Sequence, residues 1–141
     1  MGSTRERGGR LAELTPYDCW ALLEGVRIGR VAWSRPEGPA VVPVNLALLD
    51  GALWLRTTPD SALVRQGVGG PVAIEVDQID LEARSGWSVL VLGPAELVAG
   101  EDVPEHLHVL EVWPSGVRPA FVRVSPTQLT GRRLGATIID H

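Results

Sequence analysis

Hydrophobic and polar residues alternate along most of this chain with the period of two that marks β-strands. Ile28 to Ser34 sets Ile28, Arg30 and Ala32 on one side and Gly29, Val31 and Trp33 on the other. Val41 to Leu49 and Ala52 to Thr58 flank Asp50-Gly51, the dipeptide that most favours a two-residue hairpin turn. Val72, Ile74 and Val76 alternate with Ala73, Glu75 and Asp77, and Leu81 to Gly86 reads as a connection. Trp87 to Leu92 is a further strand, which Gly93-Pro94 bends before it resumes at Ala95 to Val98. Phe121 to Val124 is the last clear strand, and Leu129 to Leu134 extends the sheet or forms an arm.

Helical signals are brief. Thr15 can cap a helix whose first position suits Pro16, with Trp20, Leu23 and Cys19 as its apolar stripe and Gly25 at its stop. Ser61 to Val68 predicts a second short helix, broken by Gly69-Gly70-Pro71. Gly100 to Gly116 is irregular, with a short helical piece around Pro104 to Leu110. So many strands with so little helix to cover them favour closure, which removes exposed edges. The expected fold is mostly β, a barrel of about six antiparallel strands with two or more short helices.

Composition narrows the picture. A length of 141 residues, 45% of them hydrophobic and 21% charged, suits one globular domain. A net charge of −4 argues against a nucleic-acid partner. All 13 basic residues are arginine, so every cationic contact uses a planar, permanently charged fork. Cys19 is the single cysteine, which precludes an intramolecular disulfide and fits a reducing compartment. Gly2 to Arg10 lacks the apolar centre of a signal peptide, and no run is long and apolar enough to span a membrane. These features predict a soluble, cytoplasmic protein without a membrane partner, with a disordered tail over residues 1–13 and one domain over 14–141.

Side-chain catalysis finds little support. Cys19 has no histidine nearby and reads as a small buried hydrophobe. His106 and His108 form a His-x-His pair with no further cluster to complete a metal site, and His141 is terminal. Glu75/Asp77 and Asp80/Glu82 alternate as a solvated strand face does. With no nucleophile elbow, dinucleotide fingerprint or phosphate loop, a bound cofactor is left to carry any hard chemistry. The remaining signal is Arg56-Thr57-Thr58, a cation and two hydroxyls closing a strand just before Ser61 can open a helix, an arrangement suited to an anion. Pro43, inside the preceding strand, marks either an edge protected from pairing or a bulge that frees neighbours for a ligand.

Gly29-Arg30-Val31-Ala32, Val41-Val42-Pro43-Val44-Asn45, Asp50-Gly51, Leu55-Arg56-Thr57, Val72 to Asp77, Ser85 to Val89, Gly93-Pro94-Ala95 and Gly131-Arg132-Arg133 follow one another in order. This ordered set resembles the pyridoxamine 5'-phosphate oxidase-like family, in particular its small members similar to nitroimidazole-resistance proteins. The resemblance runs from Leu14 to Leu134. It implies a split-barrel homodimer with FMN between the subunits, acting as an oxidoreductase on a small-molecule substrate by hydride or electron transfer. Related branches bind a deazaflavin coenzyme or haem, or serve as non-catalytic binding proteins, and those remain alternatives. The resemblance assigns Val42, Pro43, Val44 and Asn45 to the flavin ring, and Arg56 and Thr57, with Thr58 and Ser61 beside them, to its phosphate. It places Trp87 and Ser88 on the ligand-side strand and turns Arg132 toward the cofactor. Family members often carry a phosphate-pairing lysine where this chain has Ala62, and Asp60 adds a negative charge next to it. Arg65, one turn on, or Arg84 could substitute. Trp113 is the candidate ring to close over a ligand or a partner subunit. Trp54 and Trp87 fit the core or a dimer interface.

Overall fold

The structure, a computed structural model, describes residues 10–108 and 119–135. Trp113 and His141 lie outside the described residues. Strands β1 (Arg10–Leu14), β2 (Ile28–Trp33), β3 (Ala40–Leu49), β4 (Ala52–Thr57), β5 (Pro71–Asp80), β6 (Ser85–Val98), β7 (Ala120–Val124) and β8 (Gln128–Gly135) form one antiparallel sheet. Helix α1 (Pro16–Leu23) precedes β2, and α2 (Glu105–His108) follows β6. The strand order is β1-β8-β6-β5-β2-β3-β4-β7, and β7 also pairs with β6, which closes a six-stranded barrel. Strands β8 and β1 extend the sheet beyond that closure.

Strand β6 makes the split. Its first part pairs with β8 from Gly86↔Leu134 to Leu92↔Gln128. Its last part pairs with β7 from Ala95↔Val124 to Val98↔Phe121. The exchange of partners falls at Gly93-Pro94, where the sequence predicts a bend. The local chain leaves no room there: a Cβ on Gly93 would run into the carbonyl of Ser125.

Alternation decides which side chains fill the barrel. Val31, Leu53, Leu55, Ile74, Val91, Val122 and Val124 are fully buried in its core. Strand β4 is also buried on its other face. There Ala52 and Trp54 join Phe121, Val103 and Leu107 in a second apolar cluster under α2. Helix α1 is capped as its sequence implies, with the Asp18 N–H donating to Thr15 Oγ1 at 3.1 Å. It seals one side of the barrel through Cys19 and Leu23. Cys19 packs so closely on β8 that a Cβ on Gly131 would lie 2.6 Å from its sulfur. Burial, and then the charge of Asp18, push its thiol pKa upward, so it behaves as an inert core group.

Three expectations change. Residues 10–13, assigned to a disordered tail, belong to β1, which pairs with β8 from Arg10↔Gly135 to Leu14↔Gly131. That partner is more than a hundred residues away in the chain, so local pattern could not reveal the strand. The strand expected over Val72 to Val76 continues to Asp80, because β6 pairs with it along its whole length. The helix expected from Ser61 is one wide turn, Leu63–Gly67, closed by the bond from Val68 N–H to the Leu63 carbonyl at 3.2 Å.

On the outer face of β2 and β5, Arg30 Nη1 bridges Glu75 at 3.1 Å and Asp77 at 3.3 Å. Partial burial, and then the neighbouring Asp77, raise the Glu75 pKa despite Arg30. A raised acid favours folding below its ordinary pKa, and that contribution is lost as pH rises through the raised value. Glu75→Gln should therefore gain in melting temperature relative to the parent chain as pH climbs from about 4 to 7. Thermal melts across that range check it, and a constant offset would refute it.

Candidate functional site

The β3–β4 hairpin organises the site. Its turn places Asp50 at φ 52° and Gly51 at φ 74°, the paired left-handed geometry of a tight two-residue hairpin. The two strands pair from Leu49↔Ala52 to Asn45↔Arg56 and then part. From Val44 back to Ala40, β3 pairs with β2 alone among the described residues. Pro43 lies in this stretch, where a strand tolerates a residue without an N–H. The segment after β4 swings across the opening.

A cleft of about 420 Å³ results. One wall is Val42, Pro43, Val44 and Asn45; the other is Arg56, Thr57, Thr58, Ser61, Ala62 and Leu63; Ile28 and Trp33 complete it. The hairpin thus gathers Val42 to Asn45 with Arg56, Thr57, Thr58 and Ser61, residues up to 19 positions apart whose proximity follows from the register. Ile28 and Trp33 are additions that the sequence reading did not assign to a site. Their signal was only their alternation on β2. Trp33 is held by a bond from Nε1 to Gln66 Oε1 at 2.9 Å.

Polar groups at the second wall have defined roles. Ser61 Oγ accepts from the Val64 N–H at 3.2 Å, which leaves its own O–H as a donor. Thr58 Oγ1 donates to the Asp60 carboxylate at 3.1 Å. Arg65 turns to the Asp60 carbonyl, with Nη1 at 2.6 Å, and does not line the cleft. Arg84 stands in the β5–β6 turn at φ 54° and lines neither this cleft nor the one described next. Arg56 is therefore the cation on the cleft wall among the described residues, with its guanidinium carbon 5.9 Å from the centre of the Phe121 ring.

Trp87, Ser88 and Arg132 are not brought to this cleft within one chain. Ser88 pairs with Arg132, and Trp87 with Arg133, across β6 and β8. In the sheet, β5 and β2 lie between that pair of strands and β3.

A second cleft, of about 510 Å³, opens on the other side of the Asn45–Arg56 pair. It is lined by Trp20, Glu24 and Arg27 around the end of α1, by Asn45 to Gly51 along the hairpin, and by Trp54, Arg56, His106 and Phe121. Sequence reading missed it. The one available signal was that Trp54 alternates out of the barrel and so needs a second apolar layer. His106 of the His-x-His pair lines this cleft, whereas His108 contacts the Gly100 carbonyl at 3.3 Å and packs edge-on against Phe121. Among the described residues no three His, Cys, Asp or Glu side chains cluster as metal ligands, and no helix is long and apolar enough to cross a membrane.

Comparison with known proteins gives a consistent picture. Residues 15–133 match the family model for pyridoxamine 5'-phosphate oxidase. The chain is 35% identical over 132 residues to an uncharacterised protein of Mycobacterium tuberculosis, covering 89% of this chain and 87% of that one. The FAD-binding protein of Mycobacterium smegmatis superposes with a TM-score of 0.70 at 30% identity, over 88% of this chain and 98% of that chain. An FAD-binding protein of Mesorhizobium loti shares the fold, with a TM-score of 0.72 at 23% identity over 90% and 98% of the two chains.

Proposed function

Because this chain belongs to the pyridoxamine 5'-phosphate oxidase family, we propose that it is a flavin-dependent oxidoreductase whose cofactor lies in the cleft between β3 and the end of β4. The observation that carries this reading is the gathering of one guanidinium and three hydroxyl-bearing residues, Arg56, Thr57, Thr58 and Ser61, opposite the wall Val42 to Asn45. The donors suit a phosphate. The wall, with Trp33 and Ile28, suits a flat apolar ring. The flavin-binding relatives support the choice of ligand.

The donor set fits a flavin phosphate, though with fewer donors than the family pattern supplies. The position of the usual lysine is Ala62, Arg65 is engaged with Asp60, and the Thr58 hydroxyl is given to the Asp60 carboxylate. In this site Arg56 would hold the phosphate, Thr57 and Ser61 would add hydroxyl bonds, and Val44 and Asn45 would face the ring with their backbone. When bound, the flavin supplies the hydride or single-electron transfer. The chain itself supplies position, charge and exclusion of water. FMN is the cofactor that the family resemblance implies. Haem loses ground, since no ligand for iron lines this cleft among the described residues.

The protein works as a homodimer in this reading. Ile28 and Val42 are exposed apolar residues on the cleft wall, and a second copy would cover them. It would also offer a route by which Trp87, Ser88 and Arg132 approach a cofactor. Light scattering that returned the mass of one protomer would refute the dimer.

An absorption spectrum of freshly purified protein, with mass analysis of the released ligand, tests the central claim. Flavin bands and a flavin mass are expected. Colourless protein that also fails to take up added flavin would overturn it. Ala62→Lys should restore the missing cation and tighten flavin binding by about tenfold. Titration of apoprotein checks this, and a weaker-binding variant would place the phosphate elsewhere.

A further inference from the structure

The second cleft lies on the outer face of the β3–β4 hairpin, and register explains why it is open. Across the strands, Asn45, Arg56 and Phe121 form one row, and Ala47, Trp54 and Arg123 form the next. Ala47 is small, which leaves a hollow beside the indole. The cleft of about 510 Å³ that results is bounded by Trp20 of α1 and by Arg27 of the loop after it. We propose that this cleft is a separate binding site for a flat aromatic carboxylate, whose occupant draws on Arg56 and so opposes flavin in the first cleft. The site stands on the cleft itself; the opposition rests on the flavin reading above.

Three observations support the site. First, Trp20, Trp54 and Phe121 bring aromatic surface to one cleft, with Leu46 and Leu107 beside them, a lining that suits a flat ring. Second, charge is polarised along the hairpin. The Leu46 N–H bonds to the Arg27 carbonyl at 2.9 Å, and Asn45 pairs with Arg56, so both arginines of the cleft belong to the base of the hairpin. Asp50 lies at the turn, about 13–17 Å further along at the rise of a strand. Arg27 is exposed, and its side chain makes no ion pair among the described residues, Glu24 included. Third, Trp54 is 6% exposed, and its indole N–H meets no acceptor among the described residues. Buried donors are normally satisfied. Trp54 and Arg56 are two positions apart on the same face of β4, and a ligand oxygen that reaches this face gives the indole an acceptor.

The link between the clefts is Arg56, which lines both. Two anions on one guanidinium divide its donors and repel each other. A carboxylate in the second cleft therefore weakens the hold on a phosphate in the first, and the phosphate weakens the hold on the carboxylate by the same factor.

Calorimetric titration of apoprotein with 2-naphthoate, 2-naphthamide and FMN tests both claims. The naphthoate should bind about tenfold more tightly than the amide, its uncharged analogue of the same shape. Arg27→Gln should weaken naphthoate by about fivefold or more while FMN affinity stays within about twofold. Ala47→Leu fills the hollow beside Trp54 and should weaken naphthoate by about tenfold while sparing FMN. Should that variant fail to fold, Arg27→Gln, at an exposed position, still decides. Saturating naphthoate should raise the apparent Kd of FMN by about fivefold. No naphthoate binding, equal binding of naphthoate and naphthamide, or naphthoate affinity unchanged in the variants would overturn the site. Naphthoate that binds without moving the FMN Kd would overturn the opposition alone. Failure of FMN to bind at all would overturn the flavin reading and the opposition with it, while the naphthoate titration still decides the site.

Discussion

Arg56→Ala should weaken flavin binding by about 1.5–3 kcal/mol, roughly ten- to hundredfold in Kd, the worth of a hydrogen bond to a charged group. The expectation follows from position. Register pairs Arg56 with Asn45 on one side and with Phe121 on the other, so its guanidinium is held at the junction of two clefts. Substitution removes the only cation that lines the first cleft among the described residues. The variant should still fold, since Arg56 is partly exposed. Flavin titration together with a thermal melt separates the two effects. An unchanged Kd would show that the phosphate is held elsewhere.

Gly93→Ala should be the most damaging single-methyl change in the barrel. Gly93 sits where β6 leaves β8 and takes up β7, and the chain after β7 passes directly over it. An added Cβ meets the Ser125 carbonyl, a backbone atom that cannot rotate away. Either β6 or the β7–β8 connection must shift. That connection is tied down by the Thr127 N–H, which bonds to the Leu92 carbonyl at 2.7 Å. Overpacking of this kind costs about 1–3 kcal/mol, which for a domain of this size lowers Tm by roughly 3–10 °C. Gly100→Ala is the control, because nothing lies within 4 Å of its Cβ position. Equal melting temperatures for the two variants would show that the crossing at Gly93 is not tight.

Legibility in the sequence differed by element. The hairpin was readable because Asp50-Gly51 is a local signal, and its register then brought Arg56 opposite Asn45. Helix α1 was readable from Thr15-Pro16 and Gly25, again local chemistry. The bend at Gly93-Pro94 was visible, but not its purpose, since the exchange of neighbours there depends on β7 and β8. Strand β1 was invisible because its residues become a strand only through β8. The assignment of Arg65 as a substitute cation illustrates the same limit. Helical spacing from Ala62 gave it reach, yet the short turn at Leu63–Gly67 delivers it to the Asp60 carbonyl.

What the sequence by itself determined is most of the strands and the hairpin and, through the ordered resemblance, the family. The strands and the hairpin follow from period and turn chemistry, which act over a few residues. What only the tertiary structure decided is where the strands close, which arginine reaches the cleft among the described residues, that Trp87, Ser88 and Arg132 stand apart from it within one protomer, and that a second, aromatic cleft shares Arg56. Those depend on contacts between segments far apart in the chain, and no local pattern encodes which of two faces a distant partner will cover.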